Sequence, residues 1–151
     1  MSLKQTIDQD LKTAMLSGDK ILVTTLRGLK SVILNSEIEL GSREQGLSDD
    51  QITTLFIKEA KKRQESANLF AQGGNQEKSA AELKEKAVIE AYLPKQLSEN
   101  ELKTIVDEVF NSMSEVSAQQ MGQIIGAVKQ KTGPAGDGSI IARLVKERLQ
   151  Q

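Results

Sequence analysis

The sequence predicts an all-α protein, with an N-terminal bundle of about four helices, two of them long, followed by a C-terminal three-helix domain. Three observations carry that expectation. Ser2 with Gln5, Ser48 with Gln51, Ser98 with Glu101 and Ser117 with Gln120 all have the spacing of a capping box, and each stands before an apolar periodic run. In such a pair the hydroxyl and the longer side chain satisfy amide donors that the first helical turn leaves free. Second, 38% of residues are hydrophobic but only 3% aromatic, so the core must be aliphatic. That mixture suits helix packing better than sheets, which draw on β-branched and aromatic side chains. Third, Gly18, Gly41, Gly73-Gly74 and Pro94 interrupt the chain where the periodic runs end.

Taken in order, a first helix is expected from Leu3 to Leu16, with Leu3, Ile7, Leu11 and Met15 on its buried stripe and Gly18 as its stop. The second starts after Asp19 and runs to Leu40, burying Leu22, Leu26, Leu29 and Ile33. A loop over Gly41 to Leu47 precedes a third helix from Asp49 to Phe70, with Ile52, Leu55, Phe56, Ala60, Ala67 and Phe70 inward. The fourth covers Gln76 to Leu93, where Pro94 restricts the preceding residue and removes an amide donor. Helices of more than about 20 residues span about 30 Å and need tertiary packing, hence an elongated bundle. Beyond the boundary at residues 94–95, shorter helices are expected from Glu99 to about Met113, from Ala118 to about Lys131 and from about Ser139 to Leu149. The expected domains are therefore residues 1–94 and 95–151.

Composition also narrows the chemistry. The chain has neither Cys nor His, so it lacks thiol chemistry, the commonest general base and the commonest metal ligand. No Gly-rich phosphate loop, nucleophile elbow or metal-ligand cluster occurs in it, and no cofactor is expected. Asp8 with Asp10 and Glu37 with Glu39 fall on different helix faces at i,i+2, while Asp49 and Asp50 suit a helix N-terminus. All three pairs read as structural. Tyr92, the single tyrosine, reads as a ring buried at the domain junction. No apolar run approaches the roughly 20 residues that span a membrane, and Met1 to Leu11 has no signal-peptide core. The expected location is the cytoplasm, with no membrane partner.

Charge is more informative in the C-terminal half than in the whole chain, whose net charge is −1. Residues 99–128 set Lys103 against Glu99, Glu101, Asp107, Glu108 and Glu115; residues 129–151 set Lys129, Lys131, Arg143, Lys146 and Arg148 against Asp137 and Glu147. The basic end coincides with the turn Gly133-Pro134-Ala135-Gly136-Asp137-Gly138. Amides freed by Gly133, Gly136 and Gly138 beside those cations could hold phosphate oxygens, or the cations could be ordinary solvated helix ends. From charge alone the solvated reading comes first. Gly122 and Gly126 open one face of the sixth helix, each costing about 1 kcal/mol relative to Ala. Such a loss implies a close approach, by a neighbouring helix or by a nucleic-acid backbone. Lys58, Lys61, Lys62 and Arg63, interrupted by Glu59 and Glu65, read as a solvated face.

Several stretches together resemble the YqeY-like family. They are Leu26-Arg27-Gly28-Leu29-Lys30-Ser31 with Asn35 and Glu37-Ile38-Glu39; Lys61-Lys62-Arg63-Gln64-Glu65-Ser66; Glu90-Ala91-Tyr92-Leu93-Pro94 with Gln96-Leu97-Ser98; and Met121-Gly122-Gln123-Ile124-Ile125-Gly126-Ala127-Val128 with Asp137-Gly138. The resemblance covers nearly the whole chain. It implies a fold shared with the tail domain of the B subunit of the tRNA-dependent amidotransferases, in which that tail helps hold tRNA while chemistry happens elsewhere. The implied function is a non-catalytic RNA-interaction module, with tRNA as partner. The alternatives are a protein-docking scaffold for a partner enzyme, and a component of a carbon–nitrogen ligase that takes its amide nitrogen from glutamine. Two departures stand out: Asn75 replaces the family's frequent Arg after Gly73-Gly74, and Pro134-Ala135-Gly136 replaces a turn that often carries a cation.

Overall fold

The computed structural model describes all 151 residues and is helical throughout, with no strand. Its helices are α1 (Leu3–Ser17), α2 (Lys20–Glu39), α3 (Asp49–Gln72), α4 (Gln76–Glu90), α5 (Glu99–Ser112), α6 (Met121–Thr132) and α7 (Gly138–Leu149), with single 3-10 turns at Ala118–Gln120 and Gly133–Ala135. The chain forms two compact units, Met1–Leu93 and Pro94–Gln151.

Local chemistry sets the helix ends. The Ser2 and Ser48 capping boxes form in full, with each Ser hydroxyl accepting from the amide of Gln5 or Gln51 at 3.2 Å and each Gln side chain accepting from the Ser amide at 2.9 Å. Ser98 caps through its hydroxyl, which accepts from the Glu101 amide at 3.1 Å. At the fourth pair, the Gln120 side chain accepts from the Ser117 amide at 3.1 Å, and a 3-10 turn precedes α6. Gly18 ends α1 at a φ of 76°, a left-handed conformation that needs no Cβ. Asn75, the departure after Gly73-Gly74, caps α4 by accepting from the Lys78 amide at 3.0 Å.

Two expectations need correction. α4 stops at Glu90 rather than Leu93. The amides of Tyr92 and Leu93 instead make three-residue bonds to the carbonyls of Ile89 and Glu90, because Pro94 disfavours helical geometry at Leu93. Met15 is 53% exposed, and Ala14, at 1%, holds its place on the stripe. At 3.6 residues per turn a stripe starting at Leu3 returns at the eleventh following residue, not the twelfth. The ends of α5 and α6, at Ser112 and Thr132, fall within one residue of expectation.

The first unit buries Ile7, Leu26, Leu29, Ile33, Leu47, Ile52, Phe56, Ala60 and Ile89 in one cluster. Tyr92, two residues before the start of the second unit, is partly buried and packs against this core. Its ring meets Phe56 edge-on at 6.3 Å and its hydroxyl donates to Asp10 at 2.6 Å. Burial first, and the Asp10 carboxylate second, hold that phenol well above its usual range. Beyond the cluster, α3 and α4 bury the small residues Ala67 and Ser79, and ion pairs link the two helices. Arg63 lies 3.0 Å from Glu85, 3.8 Å from Glu82 and 3.4 Å from Glu59, and Lys86 donates to Gln64 at 2.7 Å. The 61–66 motif therefore acts partly as a staple between helices rather than as a wholly solvated face.

The second unit packs α5, α6 and α7 around Leu102, Val106, Val109, Phe110, Ile124, Val128, Ile141, Leu144 and Val145. Its leading segment closes on the 133–136 turn, since the Leu97 amide donates to Ala135 at 2.8 Å and the Gln96 side chain donates to Pro134 at 3.2 Å.

Arg63 reaches the nearly buried Glu59, so Arg63→Ala should destabilise the first unit by about 1–3 kcal/mol, whereas truncating the exposed Lys58 should cost under about 0.5 kcal/mol. Thermal unfolding followed by circular dichroism distinguishes the two.

Candidate nucleic-acid interface

The sequence singled out the turn between α6 and α7 and the cations beside it. Much of that turn is occupied by its own chain. The Gly133 amide donates to Lys129, the Gly136 amide donates to Gly133, and Asp137 accepts from the amides of Ser139 and Ile140 at 2.8 and 3.4 Å. Gly133 sits at a φ of 58° and a ψ of −148°, which only glycine adopts without strain. Gly136 is required by packing: a Cβ there would overlap the Thr132 hydroxyl and lie 2.7 Å from Thr132 Cβ and 3.0 Å from Ile141 Cδ1.

The cations divide by partner. Arg143 pairs with Glu99 of α5 and with Glu147 at 3.2 Å, and Lys131 lies 3.8 Å from Glu108. Arg148 lies 3.6 Å from Asp107 and stacks over Phe110. The acidic flank and the basic end thus meet across the unit, and α5 takes up part of the charge on α6 and α7. Such exposed pairs contribute about 0–1 kcal/mol each, so they redirect charge more than they stabilise. Lys146 and Lys129 remain on the surface.

Within the second unit no neighbouring helix covers Gly122 or Gly126. Both are exposed, and a Cβ on either would meet nothing within 4 Å. With Lys129 they occupy positions i, i+4 and i+7, one face of α6. The end of the Lys129 side chain lies 3.4–3.5 Å from where a Gly138 Cβ would stand. The structure therefore brings together Gly122, Gly126, Lys129 and Gly138 along one bare face, while Arg143 and Lys131 are drawn toward α5.

One residue read from the sequence only as half of a structural carboxylate pair stands out in the first unit. Glu37 is 2% exposed on α2, yet Lys4 donates to its carboxylate at 2.8 Å. The hydrogen bond from Lys4 is the largest influence holding this carboxyl below the usual range; burial opposes it, and the Leu47 amide and Arg43 reinforce it. Glu37 borders two pockets. One, of about 230 Å³, is also lined by Lys4, Ile7, Lys30, Ile33 and Leu34. The other, of about 710 Å³, is open and includes Ile38, Ser42, Arg43 and Glu44. The i,i+2 spacing of Glu37 and Glu39 was consistent with this outcome, since it sends one inward and the other to solvent.

Each of these readings has a measurable consequence. Gly122→Ala and Gly126→Ala should each stabilise the second unit by about 0.5–1 kcal/mol, while Gly136→Ala should destabilise it by about 1–3 kcal/mol; chemical denaturation measures both. Lys4→Met should cost the first unit about 1–3 kcal/mol at neutral pH. Because the folded-state pKa of Glu37 is depressed, its contribution is present above the unfolded value and is lost as pH falls through the folded one. The stability gap between the parent chain and Glu37→Gln should therefore narrow below about pH 4.

Comparison with known proteins shows similarity to proteins named altered inheritance of mitochondria protein 41, mitochondrial. The Kluyveromyces lactis protein is 30% identical over 132 residues, covering 85% of this chain and 70% of that protein. The Clavispora lusitaniae protein is 26% identical over 129 residues, 84% of this chain and 72% of its own length. In Eremothecium gossypii the match is 34% over 87 residues, 58% of this chain and 46% of that protein. Their names correct the cytoplasmic expectation. No helix is long and apolar enough to cross a membrane, and that observation does not separate cytosol from an organelle interior. The profile of the family described as Yqey-like protein matches residues 4–149, so the chain belongs to the YqeY-like family.

Proposed function

We propose that the second unit is a contact module for structured RNA, with tRNA as the class that the sequence resemblance points to. The bare face of α6 carries this reading. Two exposed helix-interior glycines cost about 1 kcal/mol each, and within the second unit nothing lies within 4 Å of where their Cβ atoms would stand. Close approach by an external backbone offsets that cost, and a phosphate backbone fits because the face runs into Lys129. Lys146 adds a second exposed cation, and Lys131, 3.8 Å from Glu108, adds part of its charge, with Gly133, Gly136 and Gly138 shaping the turn beside it. Arg143, held by Glu99 and Glu147, contributes less. In this role the chain holds RNA for a separate enzyme and carries no chemistry of its own.

The test is tRNA binding by the full chain at several salt concentrations, beside variants. Contact with about three phosphates gives a log–log salt slope of roughly −3. Gly126→Leu should weaken binding by about tenfold or more while the helix gains propensity. Lys129→Ala with Lys131→Ala should flatten the slope by about one to two. Salt-independent binding, or binding indifferent to all these changes, rejects the module.

A further inference from the structure

The segment that joins the two units is bonded to the turn between α6 and α7. On its first side, the Leu93 amide donates to Glu90 and the Leu93 side chain packs against the first unit's core. Pro94 and Lys95 follow, both exposed, and neither takes part in a backbone-to-backbone hydrogen bond. On its second side, the Gln96 side chain donates to the Pro134 carbonyl at 3.2 Å and the Leu97 amide donates to the Ala135 carbonyl at 2.8 Å. The Leu97 side chain packs against the second unit's core. Two consecutive carbonyls of the turn are thus held by two consecutive residues of the joint.

The turn has little freedom of its own. Gly136 follows Ala135 directly, where a Cβ would overlap the Thr132 hydroxyl and crowd Ile141. Its amide donates to Gly133, whose amide in turn donates to Lys129. Two residues on, Gly138 opens α7 beside the end of the Lys129 side chain. A displacement of Ala135 is therefore passed through Gly136 to Gly138 and Lys129, because close-packed groups transmit strain rather than absorb it.

We propose that Gln96 and Leu97 form a latch, such that the joint and the α6–α7 turn open and close as one element, and that RNA held along Lys129 keeps the latch shut. The hold by RNA rests on the function proposed for this unit; the latch itself does not. Opening releases two hydrogen bonds and the partly buried Leu97, a local event well short of unfolding the unit. A ligand that binds the closed form alone lowers the open population by a factor of one plus its concentration over its Kd. By the same coupling, an opened joint weakens that ligand. Gln96 and Leu97 are positioning residues in this scheme, acting on RNA through the turn.

The experiment is amide hydrogen exchange of the full-length chain, read at Leu97 and Gly136 and, as core references, at Val128 and Val145. Gln96→Ala should speed exchange at Leu97 and Gly136 about threefold. Gln96→Ala combined with Leu97→Ala should speed it at Gly136 about tenfold or more, with Val128 and Val145 unchanged. Leu97→Met, which keeps the amide and an apolar side chain, should leave the parent rate at Gly136. At low salt, tRNA at a hundred times its Kd should slow exchange at Leu97 and Gly136 about a hundredfold. Exchange at Gly136 that ignores both joint variants, or that changes only together with Val128 and Val145, overturns the latch. If tRNA binds yet leaves both latch amides unaltered, the hold by RNA is overturned while the RNA reading stands. Absence of tRNA binding at low salt overturns the RNA reading and that hold together.

Discussion

Burial of aliphatic stripes is the constraint on which the rest of this protein depends. With 3% aromatic residues, there is little bulky side-chain volume to fill a core, and Ile, Leu and Val must do it by register. A fully buried side chain of this kind contributes about 1.5–3 kcal/mol, against about 0–1 kcal/mol for an exposed ion pair. Position along each helix therefore matters more than charge in deciding the fold. Phe56 and Tyr92 form an aromatic exception, and they sit together in the first unit's core. There Tyr92 joins Phe56 through its ring and Asp10 through its hydroxyl, bringing α1 and the end of α4 onto α3.

Once the apolar stripes are matched, the charges find partners across them. Arg63 reaches from α3 to Glu82 and Glu85 of α4, Lys4 reaches from α1 to Glu37 of α2, and the acidic face of α5 meets Arg143, Lys131 and Arg148. A linear tally of charge misreads this arrangement, because it treats residues 99–128 and 129–151 as separate flanks although the helices pack side by side. What remains outward is more selective: the bare face of α6 ending at Lys129, and the Leu34–Ile38 ridge of α2. Neither is explained by the interior, and both lie on helices rather than loops, so each is rigidly presented.

Much of the fold was legible from the order of residues. Ser2, Ser48 and Ser98 mark helix starts because a hydroxyl and an amide a few residues away meet without tertiary help. Gly18 marks a stop because a left-handed residue is a local requirement. The errors were also local in origin: a stripe carried one position too far at Met15, and a helix run on to Leu93 although Pro94 acts on the residues before it. The site was less legible. Gly122 and Gly126 were visible as a pair on one face, but whether a helix covered them and that Lys129 continues their face were not drawn from the sequence, and Glu37 was read only as one of a pair.

Helical class, helix order and most helix ends were determined by the sequence alone, since capping, propensity and the 3.6-residue period act within a few residues. Only the tertiary structure decided which polar groups are spent. Glu37 is buried against Lys4, Arg143 is drawn to Glu99, Gly136 makes room for Thr132 and Ile141, and Gly122 and Gly126 stand open. Those outcomes depend on residues far apart in the chain meeting in space, and no local period or spacing encodes which partner arrives.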